Sequence, residues 1–137
     1  MKILKFGYAS WLPETNMMRK FTEELANGRL MGTKCKKCKT KYMPPRIQCR
    51  CGSTDMEWYE APKKGKLLAY TIIMYPPESM QKYAPYIVAV AELEDGTRLL
   101  SHIVGVTPKT LKVGMPIEVS ISKVSEDRIT YKFKPST

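Results

Sequence analysis

The 137-residue sequence has few of the features that mark a membrane protein, a secreted protein or an independent enzyme. No apolar run approaches the roughly 18 residues that a membrane-spanning helix needs, so we expect a soluble protein. No apolar signal segment opens the chain, which favours the reducing cytoplasm over a disulfide-forming compartment. A paired-carboxylate motif, a Ser/His/Asp arrangement and a glycine-rich phosphate loop are all lacking. The one histidine, His102, falls in a strand-like segment, where histidine is more often a packed residue than a catalyst.

All four cysteines fall in one short, lysine-rich stretch, as the pairs Cys35/Cys38 and Cys49/Cys51. Two thiolate pairs separated by a short loop are what a tetrahedral metal site needs, and zinc is its default occupant. Iron of the rubredoxin type is the alternative, because sulfur-only ligation suits both metals. A catalytic zinc site usually keeps one position open and includes histidine or carboxylate ligands. The sequence therefore predicts a structural metal site with these four cysteines as ligands.

The spacing within this cluster is irregular. The second pair is C-x-C, where C-x-x-C is usual, and Lys39 stands where glycine often follows the first pair. Gly52 does follow the second pair, and a positive φ there would turn backbone amides toward sulfur. Cys49 and Cys51 are too close in sequence for an unstrained mutual disulfide. We expect the four cysteines to bind a metal despite this spacing. The spacing does not predict the geometry of the two knuckles, the tight turns that carry each cysteine pair.

The net charge of +10 is concentrated in the cysteine-containing half of the chain. Residues 1–64 carry fourteen Lys or Arg against six Asp or Glu, whereas residues 65–137 carry nine against seven. Four thiolates around one divalent cation leave two negative charges, which the neighbouring lysines would offset. Charge compensation and a solvated surface therefore explain the basic cluster as well as a polyanion-binding patch does.

A helix is predicted from about Asn16 to Ala26, ahead of the cysteines. Phe21 and Leu25 are spaced one helical turn apart, and Asn27-Gly28 is a typical C-terminal stop. The methionines around this helix indicate a core face, or less commonly a groove for a partner protein.

From Gly65 onward the sequence predicts strands. The strand-like segments are residues 66–75, 86–93, 98–104, 117–121 and 129–133, and Asp95-Gly96 predicts a hairpin between the second and third. A short helical turn is expected around Pro108–Leu111. Five strands with a small insert after the third outline a five-stranded OB-fold barrel, with a split barrel or small sandwich as alternatives. The residues expected in its core or at an apolar interface are Ile87, Val88, Val90, Leu99, Ile103, Val119 and Ile121.

An ordered series of motifs gives the chain a family resemblance. After the helix come Gly28-x-Leu30, the first cysteine pair, Pro44-Pro45-Arg46, Cys49-x-Cys51-Gly52-Ser53, Glu57-Trp58, Gly65-x-Leu67, Tyr70-Thr71, Pro85-Tyr86, Leu93-x-x-Gly96 and Gly114-Met115. Over residues 17–121 this order resembles the acyl-CoA-associated family that joins a rubredoxin-like zinc ribbon to an OB-fold, long described as a domain of unknown function. The resemblance implies a mainly β protein: an N-terminal arm, helix and zinc ribbon over residues 1–62, then an OB-fold domain over residues 63–137.

The resemblance also implies a function. Members of that family accompany thiolase-fold enzymes, including complexes of acetoacetyl-CoA thiolase with hydroxymethylglutaryl-CoA synthase. The implied role is a non-catalytic subunit that docks on a thiolase-fold enzyme and bridges it or binds CoA or acyl-CoA. CoA carries a pyrophosphate and a 3′-phosphate, so Lys or Arg beside an apolar groove is the physical requirement. Arg46, Lys63 and Lys64 are the candidates, although a solvated surface is the commoner role for any one of them.

Nucleic-acid binding is the alternative interpretation, since zinc ribbons and OB barrels both occur in such proteins. OB barrels that bind single strands present exposed aromatic residues among basic ones. Five tyrosines supply the aromatics, namely Tyr70, Tyr75, Tyr83, Tyr86 and Tyr131, but the barrel half is almost uncharged. An affinity for RNA or DNA that falls steeply with salt would favour this alternative.

Overall fold

The computed structural model describes residues 3–6, 9–11, 16–125 and 128–136, with side chains over 16–123 and 129–136. Within these ranges the elements, in chain order, are β1 (Ile3–Phe6), β2 (Ala9–Trp11), α1 (Asn16–Ala26), β3 (Met31–Cys35), β4 (Lys41–Tyr42), β5 (Met56–Glu60), β6 (Lys64–Ile73), a 3₁₀ helix (Glu78–Tyr83), β7 (Tyr86–Leu93), β8 (Arg98–Ile103), β9 (Pro116–Ser125) and β10 (Arg128–Pro135). Neither helix among the described residues is long and apolar enough to cross a membrane.

Helix α1 has the bounds that its sequence predicts. It buries Phe21, Thr22 and Leu25 on one side and ends at Ala26. Gly28 follows with a φ of 84°, the left-handed conformation of a C-terminal cap. Phe21 meets the ring of Tyr131 on β10 edge-to-face, with ring centroids 6.4 Å apart. The helix therefore packs its apolar side against the strands that follow the cysteine cluster.

Three short antiparallel strands form a small sheet around the cysteines, in the order β4-β3-β5. Gly32 in the central strand has no room for a side chain, because a Cβ there would lie 2.5 Å from the carbonyl oxygen of Tyr42. Cys35 ends β3, so this sheet fixes the position of the first cysteine pair. Strands this short carry too few residues for an alternating pattern, and the sequence analysis does not predict them.

The second half is a closed barrel of five strands. Strand β6 pairs with β7 and β9, β7 pairs with β8, and β10 closes the circle between β8 and β9. The β10–β8 pairing is parallel and the other pairings around the barrel are antiparallel. This is the predicted five-stranded OB-fold. The predicted hairpin turn also forms, with Gly96 at φ 87°.

The residues predicted for the core or an apolar interface divide between the inside of the barrel and its outer face. Alternate residues of β7 point inward, namely Ile87, Ala89, Ala91 and Leu93, so Val88 and Val90 lie half-buried on the outer face. The remaining predicted residues pack inside: Leu99, Ile103 and Val119 are buried, and Ile121 packs partly buried against the core. The small Ala89 and Ala91 suit the interior because a five-stranded barrel encloses little space.

Several segments differ from their predicted bounds or were not predicted. Strand β6 begins at Lys64 and β9 extends to Ser125, beyond the predicted segments. The 3₁₀ helix follows Pro76-Pro77, and its Met80 is buried. The turn predicted near Pro108–Leu111 is a single helical turn, in which the amide of Leu111 donates to the carbonyl of Thr107 at 3.2 Å.

The opening segment adds two strands to the edge of the barrel sheet. Strand β1 pairs in parallel with β10 and forms a hairpin with β2. The sequence of residues 1–8 predicts a strand-like start, and the structure confirms it over Ile3–Phe6. The same segment, with residues 11–13, also predicts an arm that lies against an apolar surface, and the side chains that this prediction concerns are outside the described residues.

Candidate metal centre and neighbouring surfaces

The four cysteine sulfurs lie within 4.8 Å of one another. The Sγ atoms of Cys35 and Cys51 are 3.8 Å apart, and those of Cys38 and Cys49 are 3.2 Å apart. A tetrahedron with metal–sulfur bonds of about 2.3 Å has edges of about 3.8 Å. The cluster therefore has the donor set and approximately the size that a tetrahedral zinc or iron ion needs.

The two knuckles reach this geometry by different routes. After the first pair, Lys39 takes a φ of 66°, the left-handed conformation that glycine adopts most readily, and its amide donates to the Cys35 carbonyl at 2.9 Å. After the second pair, Gly52 takes a φ of 92° and its amide donates to the Cys49 carbonyl at 2.9 Å. The lysine at the first knuckle therefore preserves the turn in spite of its side chain.

Tyr42 also belongs to the site, although the motifs in the sequence do not mark it as a site residue. Strand β4 positions its hydroxyl to donate to the Sγ of Cys49 at 3.4 Å and to accept from the amide of Arg50 at 2.9 Å. The only signal in the sequence is its place seven residues before Cys49 in the loop between the pairs. Recognising that signal requires knowing that β4 pairs with β3.

Contacts within the cluster shift the pKa values of Cys49 and Cys51 in opposite directions. The backbone amide of Cys51 and the hydroxyl of Tyr42 lower the pKa of Cys49 to about 6. The amide of Ser53 lowers the pKa of Cys51, but contact with the Cys49 thiol, burial and the other thiols outweigh it and raise that pKa to about 11. The lowered pKa of Cys49 favours its thiolate, which is the form that binds a cation.

Basic side chains surround the cluster, as charge compensation requires. Lys36 forms an exposed ion pair with Asp55 at 3.6 Å, and the ammonium of Lys41 lies 5.3 Å from the centre of the Tyr59 ring. Such exposed contacts contribute little to stability.

Arg46 lies on the loop between the cysteine pairs. Its amide donates to the Oγ1 of Thr33 at 2.8 Å, and that hydroxyl contacts the Arg46 carbonyl at 3.0 Å. The exposed guanidinium lies over the Tyr42 ring, 4.9 Å from its centre. The backbone at Arg46 is therefore fixed while its charge faces solvent.

Lys63 and Lys64 lie elsewhere, at the junction of the small sheet and the barrel. The ammonium of Lys63 donates to the carbonyl of Gly28 at the end of α1. The two lysines line a depression of about 540 Å³, and the other lining residues are Glu60, Ala61, Pro62, Glu94 and Glu118. Arg46 does not line this depression.

A larger apolar groove of about 940 Å³ lies on the outer face of β7, β8 and β10. Its walls come from four parts of the chain: the barrel strands, residues 104–106 after β8, the segment around the 3₁₀ helix, and Pro44 from the loop between the cysteine pairs. Lys132 is the one charged residue among the described residues of its lining. His102 lies half-buried there, with its ring 5.0 Å from that of Tyr86. Burial and the nearby charge of Lys132 lower the pKa of His102.

Together these observations define a class: a cysteine-rich ribbon that could hold a metal, joined to an OB-fold barrel. Sequence comparison places the chain within that class. Residues 22–57 match the family model described as the ChsH2 rubredoxin-like zinc ribbon domain, and residues 58–122 match the ChsH2 C-terminal OB-fold domain. The chain belongs to this zinc-ribbon and OB-fold family, also called DUF35, as its motif order predicts.

Three relatives illustrate the family. A DUF35 domain-containing scaffold protein of Methanocaldococcus jannaschii is 38% identical over 114 residues, covering 77% of this chain and 81% of the relative. A DUF35 domain-containing scaffold protein of Methanothermobacter thermautotrophicus is 36% identical over 116 residues, covering 79% of this chain and 87% of the relative. A probable enoyl-CoA hydratase alpha subunit of Thermomonospora curvata is 33% identical over 126 residues, covering 90% of this chain and 39% of that longer protein.

Solved structures agree with the fold. A chain of the Ltp2-ChsH2(DUF35) aldolase superposes with a TM-score of 0.78 at 31% identity, covering 92% of this chain and all of that one. A DUF35-family protein of unknown function from Sulfolobus solfataricus gives a TM-score of 0.61 at 21% identity, covering 88% and 86%, and supports the fold alone.

Proposed function

We propose that this protein is a non-catalytic subunit that docks on a thiolase-fold enzyme and helps to hold CoA or its acyl thioester. The observation that carries the proposal is the full-length structural match to a chain of the Ltp2-ChsH2(DUF35) aldolase. The description of two relatives as scaffold proteins, and of a third as a subunit of an enoyl-CoA hydratase, points the same way. In such an assembly the partner enzyme supplies the reacting groups.

The environment of the single histidine supports a non-catalytic role. A histidine that acts as a general base is normally oriented by a carboxylate or another acceptor. His102 instead stacks against Tyr86, and the charge that acts on it is the cation of Lys132.

We propose zinc as the metal of the cysteine cluster, with Cys35, Cys38, Cys49 and Cys51 as its ligands. When bound, zinc would cross-link the two knuckles, and such sites contribute on the order of 10 kcal/mol to folding at neutral pH. The lowered pKa of Cys49 favours ligation, because that thiol loses its proton readily. Elemental analysis of the undenatured protein should find one zinc per chain, and finding iron or no metal would contradict this part of the proposal.

For the phosphates of CoA, the surroundings favour Arg46 over the two lysines. Arg46 is exposed, and its loop is fixed by hydrogen bonds to Thr33. Lys63 and Lys64 share their depression with three glutamates, whose charges oppose the binding of a phosphate. We retain all three as candidates and expect Arg46 to contribute most.

The docking proposal is tested by isolating the tagged protein from extract of its native host and identifying the bound proteins by mass spectrometry. We expect a thiolase-fold enzyme to copurify, and the reconstituted complex to retain CoA better than the enzyme alone. If the enzyme has unchanged activity, stability and CoA affinity with and without this protein, the proposal fails.

The phosphate assignment is tested in the same reconstituted complex. Arg46→Ala should weaken CoA retention, whereas Arg50→Ala, which removes another exposed arginine from between Cys49 and Cys51, should not. Lys63→Ala with Lys64→Ala should have a smaller effect on CoA retention than Arg46→Ala. Equal effects of the two arginine variants would indicate a general electrostatic attraction.

A further inference from the structure

The outer face of the barrel carries an apolar surface that folding leaves uncovered. Leu100 is 59% exposed, Tyr83 is 51% exposed and Val104 is 44% exposed, and all three line the groove of about 940 Å³. Val88 lines it from the neighbouring strand, directly opposite His102 in the β7–β8 pairing. A concave apolar surface of this volume, with a few polar groups, is typical of a site for a small molecule.

The charges of the groove restrict what it can bind. Among the residues that the structure describes, the lining contains no aspartate or glutamate, and Lys132 supplies one positive charge. A neutral or weakly anionic ligand with a long apolar part therefore meets no repulsion there. The imidazole of His102 offers one hydrogen-bond donor and one acceptor when it is neutral.

The position of the groove beside the cysteine-rich loop indicates in which direction a bound ligand extends. Pro44 forms part of its wall and stands two residues before Arg46 on the same loop. A ligand in the groove thus extends toward the segment that carries the proposed phosphate-binding arginine. Met80 is buried among the lining residues, and its flexible side chain can adapt to ligands of different length.

We infer that the groove holds the acyl and pantetheine arm of an acyl thioester, an inference that rests on the proposed function. The acyl chain contacts Val88, Leu100 and Val104, and the amides of the pantetheine arm exchange hydrogen bonds with His102 and Lys132. The phosphates of the CoA nucleotide then lie toward Arg46. The groove binds the apolar arm by itself, so a thioester that lacks the nucleotide still binds.

The test uses the full metal-loaded chain with octanoyl-pantetheine and octanoyl-CoA as probes. Because His102 is the only histidine in the chain, its imidazole resonances report on the groove without ambiguity. Octanoyl-pantetheine should shift these resonances in a saturable manner, and calorimetry should give the affinity. Leu100→Glu should weaken binding of octanoyl-pantetheine at least about tenfold, because it places a charge where the acyl chain is buried.

Val113→Glu is the matched control, because Val113 is 66% exposed and lies outside the groove lining. It should leave the affinity for both probes unchanged, and circular dichroism should show that both glutamate variants are folded. Val104→Glu provides a second groove variant with the same expected loss. Arg46→Ala should weaken octanoyl-CoA and leave octanoyl-pantetheine unaffected.

Two results would overturn the inference while leaving the proposed docking function intact. In the first, octanoyl-CoA binds through Arg46 but the His102 resonances do not move and Leu100→Glu has no effect. In the second, octanoyl-pantetheine does not bind the isolated chain, and Leu100→Glu instead abolishes copurification of the enzyme. The second result would assign the groove to the partner protein.

Discussion

At the scale of single residues, the metal centre depends on more than its four cysteines. Tyr42 contacts both the Cys49 sulfur and the Arg50 amide, so it ties the second knuckle to the small sheet. Outer-shell hydrogen bonds of this kind orient metal ligands and adjust their basicity. The first knuckle does not depend on glycine, because Lys39, in the position where glycine is usual, still adopts the left-handed conformation.

Replacing Tyr42 by phenylalanine should therefore lower the metal affinity by about tenfold. The change removes the hydroxyl and keeps the ring under Arg46. Competition with a chelator measures the affinity. Tyr59→Phe is the control, because its hydroxyl donates to Asp95 at 2.9 Å and not to a sulfur. Equal metal affinity in the wild type and Tyr42→Phe would show that the contact with Cys49 does not contribute to metal binding.

His102 should titrate below the ordinary histidine value of 6.5, because burial and Lys132 both disfavour its charged form. Since the folded pKa is the lower one, the unfolded chain binds the proton more tightly. This histidine therefore leaves the free energy of unfolding unchanged well above pH 6.5. As the pH falls through 6.5 toward the folded pKa, it lowers the free energy of unfolding.

Nuclear magnetic resonance titration of the imidazole measures this pKa directly. Lys132→Met should raise the pKa toward 6.5, whereas Lys134→Met, on the same strand, should leave it nearly unchanged. A wild-type value at or above 6.5 would contradict the environment described for His102.

At the scale of elements, the barrel strands divide sharply between an inner and an outer face. Leu99 and Leu100 are neighbours on β8, yet Leu99 is 1% exposed inside the barrel and Leu100 is 59% exposed in the groove. The inner face stabilises the fold, while the outer face is left free to bind. The same division on β7 separates Ile87 from Val88.

Truncating each of these two leucines to alanine compares the contributions of the inner and outer faces to stability. Leu99→Ala should lower the free energy of unfolding by roughly 2–5 kcal/mol, because it leaves a cavity in a closed core. Leu100→Ala should change it by less than about 0.5 kcal/mol. Urea unfolding followed by circular dichroism measures both. Similar losses in the two variants would mean that the outer face also supports the fold.

At the scale of the whole molecule, the ribbon and the barrel share contacts. The amide of Ala61 donates to the Leu30 carbonyl at 2.7 Å, and the Tyr59 hydroxyl on β5 reaches Asp95 in the β7–β8 turn. A single cluster of buried residues runs from α1 into the barrel. The barrel nevertheless closes through its own strand pairings, which do not involve the small sheet.

Cys38→Ser should therefore unfold the chain near residues 30–55 and leave the barrel largely folded. Removing one thiolate weakens the metal cross-link, and a sheet of three short strands buries too little to persist without it. Hydrogen exchange should show loss of protection in β3 and β5 and retained protection in β7 and β8. Treating the wild type with a chelator should give the same pattern, reversed by added zinc. Simultaneous loss of protection in the barrel would show that it depends on the ribbon.

Local signals in the sequence determined much of this protein. The clustered cysteines, the Phe21/Leu25 spacing with its glycine stop and the Asp95-Gly96 turn each act over a few residues. They predicted the convergent thiols, the helix bounds and the hairpin. The order of the five strands then left few ways to close a barrel.

Tertiary structure alone decided the rest, because those features join segments that are distant in sequence. The segment Tyr86–Leu93 is apolar at nearly every position, so only barrel closure sets which side of the strand faces inward. Tyr42 becomes part of the metal site only when β4 pairs with β3. The groove likewise exists only where Pro44, the 3₁₀ helix and the outer strand face come together, since each contributes a wall that has no concavity by itself.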